Sequence, residues 1–138
     1  MPNWTPILLF ILGLSLLTAC QEEGPNYSQE QQDPQTAIKA FYTAVAAEDF
    51  AKAEAFCEPS SQEQLRYFAT ELQLKASKPD KKEALLDKIR FDFSQLDCQE
   101  KDGSTFCKLC CNSKQEEVEI EMVQREGKWL VIAKLDNY

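Results

Sequence analysis

The sequence predicts an α+β domain in which N-terminal helices pack on a bent four-stranded antiparallel sheet. Three observations predict it. Apolar residues recur at helical spacing between residues 34 and 76. After Leu86 the apolar spacing falls from about 3.6 to 2, the change from helix to strand. Three turns in the second half then gather the apolar residues onto one sheet face, and a one-residue slip would put charges there instead.

The elements follow in order. Asp33-Pro34 opens the first helix with a capping carboxylate and a proline at the first helical position. Ile38, Phe41, Tyr42 and Val45 form its apolar stripe, and Glu48-Asp49 ends it. A short second helix turns Phe50, Ala53, Phe56 and Cys57 inward and stops at Glu58-Pro59. Ser60 and Glu63 have the spacing of a capping box. Leu65, Phe68, Ala69, Leu72 and Ala76 make the next stripe, Lys78-Pro79-Asp80 breaks the chain, and residues 81–88 can add one or two helical turns.

Ile89, Phe91 and Phe93 start the strand half. Leu96 and Cys98 continue its apolar face only if a bulge lies near Ser94-Gln95. Asp102-Gly103 is a hairpin turn that sets Lys101 opposite Ser104 and Cys98 opposite Cys107. A turn at Lys114-Gln115 pairs Cys111 with Val118, Leu109 with Ile120 and Cys107 with Met122. A turn at Glu126-Gly127 pairs Met122 with Val131 and Ile120 with Ala133. The other face carries Lys108, Glu119, Glu121 and Lys134, with Val123, Leu130 and Ile132 as an apolar strip.

The N-terminus carries a different signal. Ile7 to Leu17 is an apolar run too short to span a bilayer core, which takes about 20 residues as helix. Small residues and Cys20 follow, and Leu17-Thr18-Ala19-Cys20 resembles the lipobox of bacterial lipoproteins. The segment before the run has no Lys or Arg, so only the chain amine supplies the customary positive charge. The resemblance implies cleavage before Cys20, a diacylglyceryl group on its sulfur and an acyl chain such as palmitate on its amine. Two or more chains hold a protein stably at a membrane, at about 0.8 kcal/mol per buried methylene. The chain then divides into a signal peptide (1–19), a lipidated cysteine with a flexible tether (20–33) and a folded domain (34–138). The tether is assigned because residues 21–33 contain no aliphatic side chain. Glu22-Glu23 resembles the acidic export signal of surface lipoproteins in Bacteroidetes-type bacteria; an acidic linker reads the same way. The expected location is the bacterial cell envelope, at the outer membrane and facing the surface.

Within the domain, Pro34-x-x-Ala37-x-x-x-Phe41-Tyr42 and Asp49-Phe50-x-x-Ala53 resemble the helical start of a family of small bacterial lipoproteins of unknown function. Gly127-Lys128-Trp129-Leu130-Val131 resembles that family's last strand. The family belongs to the nuclear transport factor 2-like superfamily, so the resemblance implies a cystatin-like cone. Related folds often dimerise through the outer sheet face, where Val123, Leu130 and Ile132 stand. Steroid isomerases of the superfamily use an Asp base with a Tyr or protonated acid in a deep pocket. Asp92 and Tyr42 are the nearest equivalents, but Asp92 alternates out of phase with Phe91 and Phe93, and Tyr42 sits in a core stripe.

The sequence has six cysteines, and Cys20 is assigned to lipid. In an oxidising compartment the other five favour disulfides. Register pairs Cys98 with Cys107. Cys111, on the inward face, can reach Cys57 on the second helix, leaving Cys110 free or in the place of Cys111. Cys107-x-x-Cys110-Cys111 resembles part of a zinc thiolate pattern, but adjacent strand residues point to opposite faces, so no metal is assigned.

Absence of histidine excludes Ser-His-Asp and Cys-His machinery. The net charge of −8 argues against nucleic acid. Lys75, Lys78, Lys81, Lys82, Lys88 and Arg90 form a local basic cluster, read as a solvated helix surface rather than a patch for lipid headgroups. Phe41, Phe68, Phe91, Phe93 and Trp129 either line an apolar pocket or fill it. The expected role is a non-catalytic module binding a protein or a small apolar ligand, with no catalytic residue and no cofactor. The alternatives are an isomerase- or dehydratase-like enzyme and an assembly subunit, including a homodimer.

Overall fold

Asp33 caps the first helix as its sequence implies. In the computed structural model, which describes residues 25–112 and 115–135, its carboxylate accepts hydrogen bonds from the Gln35 and Thr36 amides. The Thr36 hydroxyl also bonds it and, with those amides, holds the Asp33 carboxyl below the usual carboxylate range. Helix α1 (Pro34–Ala46) buries Ile38, Phe41, Tyr42 and Val45 on its predicted stripe, together with Ala37, Ala40 and Ala44. It ends where Glu48 takes a φ of 58°. The Glu48 amide then donates to the Val45 carbonyl and the Asp49 amide to that of Ala44, which satisfies the last carbonyls of the helix.

Helix α2 (Phe50–Phe56) is capped by Asp49 and stops before Pro59. A short 3-10 turn, Pro59–Ser61, leads into α3 (Gln62–Leu74), and α4 (Pro79–Asp87) follows. The Ser60–Glu63 capping box does not form. Glu58 takes both the amide and the hydroxyl of Ser60, and the N-cap of α3 is Ser61, one residue later. The Ser61 hydroxyl turns inward, bonds the Glu58 carbonyl at 3.1 Å and accepts from the Ala133 amide at 3.0 Å. Ala76, expected in the α3 stripe, lies beyond the helix and is exposed.

The sheet is β1 (Asp92–Lys101), β2 (Ser104–Cys110), β3 (Val118–Arg125) and β4 (Lys128–Val131), antiparallel and in chain order. Both tight turns, Asp102-Gly103 and Glu126-Gly127, have positive φ at both central residues, the geometry that fits two-residue hairpins. Lys101 faces Ser104, Cys98 faces Cys107, and Met122 faces Val131, as expected. The expected bulge in β1 is present as a register shift between Asp92 and Asp97.

The central pairing differs. Cys107 faces Ile120 and Leu109 faces Val118, two residues from the expected alignment. The cause is Asn112, which is buried. Its side-chain amide donates to the Lys88 carbonyl and its carbonyl oxygen accepts from the Glu116 amide. Pinned there, the chain leaves the sheet after Cys110 rather than continuing to a turn at Lys114-Gln115, of which Lys114 lies outside the described residues. A shift of two keeps every side chain on its expected face. Cys107, Leu109, Ile120, Met122, Val131 and Ala133 are accordingly all buried.

Helix α1 packs on β1, β2 and β4, and α2 packs on α1 and β4. Edge-to-face contacts from Phe41 to Tyr42 and from Tyr42 to Phe91, each 5.0 Å between centroids, join helix to sheet. The result is helices layered on one face of an antiparallel sheet.

The expected tether requires a correction. Residues 27–33 are docked, not free. The Tyr27 ring lies 5.4 Å from that of Phe56, with the Lys52 ammonium 5.2 Å above it. Gln31 is 4% exposed, donates from its side chain to the Ala55 carbonyl and accepts at its backbone carbonyl from the Trp129 amide. A count of aliphatic residues misses an aromatic ring and an amide that bind one edge of the fold. Gln31→Ala is therefore expected to lower stability by about 0.5–1.5 kcal/mol, the net worth of the part-buried hydrogen bond to the Ala55 carbonyl. An unchanged urea midpoint would contradict this role. The signal segment and Cys20 lie outside the described residues.

Candidate functional site

The residues nominated for chemistry and binding separate into three groups. The aromatics come first. Phe41, Phe68 and Phe91 are buried in the core, while Phe93 and Trp129 are half-buried against it. Among the described residues none of the five lines any of the three grooves set out below; their side chains pack in or against the core instead. Tyr42 is 1% exposed among the core aromatics. Asp92 stands exposed at the start of β1, where the Ser94 amide, donating at 2.9 Å, holds its carboxyl below the usual range. The two do not share a cavity.

The cysteines form the second group. Cys98 is bonded to Cys107 across the β1–β2 hairpin, with a Cα separation of 3.9 Å. The expected Cys57–Cys111 bond is absent, because Cys111 is bonded to its neighbour Cys110 and Cys57 is a free, buried thiol. Strand alternation would turn Cys111 inward, but β2 ends at Cys110 and a φ of 136° at Cys111 redirects the chain.

Cys57 serves as a joint between α2 and the sheet edge. Its backbone bridges Val131, and its sulfur lies 3.3 Å from the Ser61 hydroxyl. Burial pushes the Cys57 thiol above its ordinary value; the Ser61 bond opposes this only in part. A thiol raised in this way adds stability that is complete below the unfolded thiol value and is lost as pH climbs through the folded one. The peptide carrying Cys57 is therefore expected to react with a maleimide at neutral pH only after unfolding. Rapid labelling of the folded protein at Cys57 would contradict this. Among the described residues no group of three or more Cys, Asp or Glu is placed to hold a metal ion.

Surface grooves make up the third group. One of about 490 Å³ runs beside α1, between Thr36, Lys39, Thr43, Asp49 and Lys52. It is mixed in charge, and Lys52 is already 3.5 Å from Glu30. A second, of about 280 Å³, crosses the outer face of β1–β3 at Gln99, Phe106, Lys108 and Glu119. The third, of about 610 Å³, separates α3 from α4. Tyr67, Glu71 and Lys75 line it from α3 and its C-cap, Lys81, Leu85 and Lys88 from α4 and its C-cap, and Leu135 also contributes.

This third groove organises the basic cluster that the sequence presents only as a run. Arg90 turns aside to Glu83 and Asp87 at 2.8 and 2.7 Å, and Lys82 reaches Glu48 at 2.8 Å. Lys75 and Lys81 enter no ion pair among the described residues and line the groove from the end of α3 and the start of α4. The large hydrophobic residues most exposed in the described chain, Tyr67 at 64% and Leu74 at 75%, are both on α3 beside them. Val123, Leu130 and Ile132 on the outer sheet face are only half-buried, not open. No described helix is long and apolar enough to cross a membrane. Comparison with known protein families, curated proteins and solved structures finds no match to this chain.

Proposed function

We propose that the chain is a bacterial lipoprotein of the cell envelope, held at the outer membrane through Cys20, whose domain is a binding module of the nuclear transport factor 2-like, cone-shaped class. The observation that carries the proposal is the apolar run Ile7–Leu17 ending in Leu17-Thr18-Ala19-Cys20. The α+β layering supports the class, since that superfamily also sets N-terminal helices on an antiparallel sheet.

The docked segment sharpens the picture. With residues 27–33 bound to the domain, the chain from Cys20 to Tyr27 reaches at most about 25 Å when fully extended. The domain then sits close to the lipid headgroups, with the α2–β4 edge nearest the anchor. Disulfides at Cys98–Cys107 and Cys110–Cys111 accord with an exported protein.

Expression of the full chain in a bacterium tests the anchor. Cys20→Ser is expected to move the protein from the detergent phase to the aqueous phase, because no thioether can form. Membrane retention equal to wild type would contradict it. Native mass of the exported protein tests the module: a species heavier than the lipidated monomer by a few hundred daltons, an order of magnitude for small ligands, is expected. A doubled mass would favour assembly.

A further inference from the structure

We propose that the groove between α3 and α4 binds an amphipathic anion, a single molecule with an apolar body and one carboxylate or phosphate head. The inference rests on the reading of the domain as a binding module and assigns that module its site.

Charge gives the first argument. The chain carries a net −8, yet among the described residues this groove gathers Lys75 and Lys81 against one acid, Glu71. The neighbouring acids Glu83 and Asp87 are engaged by Arg90. Lys75 and Lys81 lack an acidic partner among the described residues and line the groove from the end of α3 and the start of α4. Their two flexible ammonium groups can close on one anionic head.

Shape and polarity give the second. The lining is mixed: beside the lysines, Ala84, Leu85, Leu135 and the exposed Tyr67 ring supply its apolar part. The volume of about 610 Å³ lies within the range of about 300–1,000 Å³ typical of small-molecule sites. A purely polar anion would leave the apolar walls in water, and a neutral apolar ligand would leave the ammonium groups unpaired. A concave site whose charges converge suits one molecule rather than the flat surface of a bilayer.

Amine footprinting of the full chain, read peptide by peptide, tests the site. Decanoate is the probe, decanol its neutral control and vesicles of anionic phospholipid the surface control. Decanoate is expected to slow acetylation of Lys75 and Lys81 but not of Lys101 or Lys128, and decanol to protect neither. Lys75→Gln with Lys81→Gln should weaken decanoate binding about tenfold or more, given the strength of hydrogen bonds to charged groups, with the circular dichroism spectrum unchanged. Equal protection by decanol, uniform protection of all lysines, or protection by vesicles alone would overturn the proposal. A ligand retained in the native mass with Lys75 and Lys81 unprotected would also overturn the groove, while leaving the binding-module reading intact.

Discussion

Truncating Phe41 to alanine is expected to cost about 3–5 kcal/mol, the range for a large aromatic removed from a packed core. Phe41 is fully buried on α1, where the helix meets β1, β2 and β4, and its ring meets that of Tyr42 edge to face at 5.0 Å. Small domains are stable by about 5–15 kcal/mol, so this one change removes a large share. The same substitution at the half-buried Phe93 should cost markedly less. The contrast separates a filled core from an open pocket. If Phe41 lined an empty cavity, its truncation would lose few packing contacts, and the two variants would unfold at similar urea concentrations. Comparable midpoints would therefore contradict the filled-core description.

Opening the Cys98–Cys107 bond should have the next largest effect. The pair closes a short loop, nine residues apart in sequence, for which chain entropy predicts about 2–3 kcal/mol of stabilisation. Cys107 is buried, so replacement of both by alanine adds a small packing loss. Equilibrium unfolding of Cys98→Ala with Cys107→Ala checks it. Because the loss acts chiefly through the unfolded chain, it should appear as a lower midpoint with native spectra retained below the transition. Stability equal to wild type would show that the β1–β2 turn already holds the hairpin without the crosslink.

Most of the fold was legible in the sequence where one local rule governed each element. Asp33-Pro34, the Ile38–Val45 stripe, the Asp102-Gly103 turn and the β1 bulge all reflect short-range stereochemistry that a side-chain pattern reports directly. The failures share a physical cause, namely a polar side chain that takes an unexpected hydrogen-bond partner. Asn112 reaches the Lys88 carbonyl and shifts the β2–β3 register by two. Glu58 captures Ser60 and cancels the capping box. Gln31 ties a segment without aliphatic residues to α2 and β4. Each forms a bond that spacing along the chain does not encode, and two of the three depend on tertiary placement. The expected Cys98–Cys107 bond is present, but the Cys57–Cys111 pairing failed because Cys111 was placed by strand alternation beyond the point where the strand ends.

The candidate site was legible only in part. The lysines were visible as a run, but their sorting into paired and unpaired groups depends on where Glu48, Glu83 and Asp87 stand. The apolar walls of the groove come from α4 and from Leu135, far apart in sequence. Tyr67 and Leu74 fall outside the α3 stripe, but nothing in their residue type marks them as exposed. They are apolar residues on the side of α3 opposite Leu65, Phe68 and Leu72, a distinction drawn by helical phase alone.

Intact mass of the protein extracted from bacterial membranes after expression of the full chain tests the central claim most directly. The account predicts a chain beginning at Cys20, heavier by a diacylglyceryl group and an amide-linked acyl chain, and lighter by the hydrogens lost to the two disulfides. An unmodified chain still beginning at Met1 would contradict the lipoprotein reading and, with it, the placement of the domain at a membrane surface.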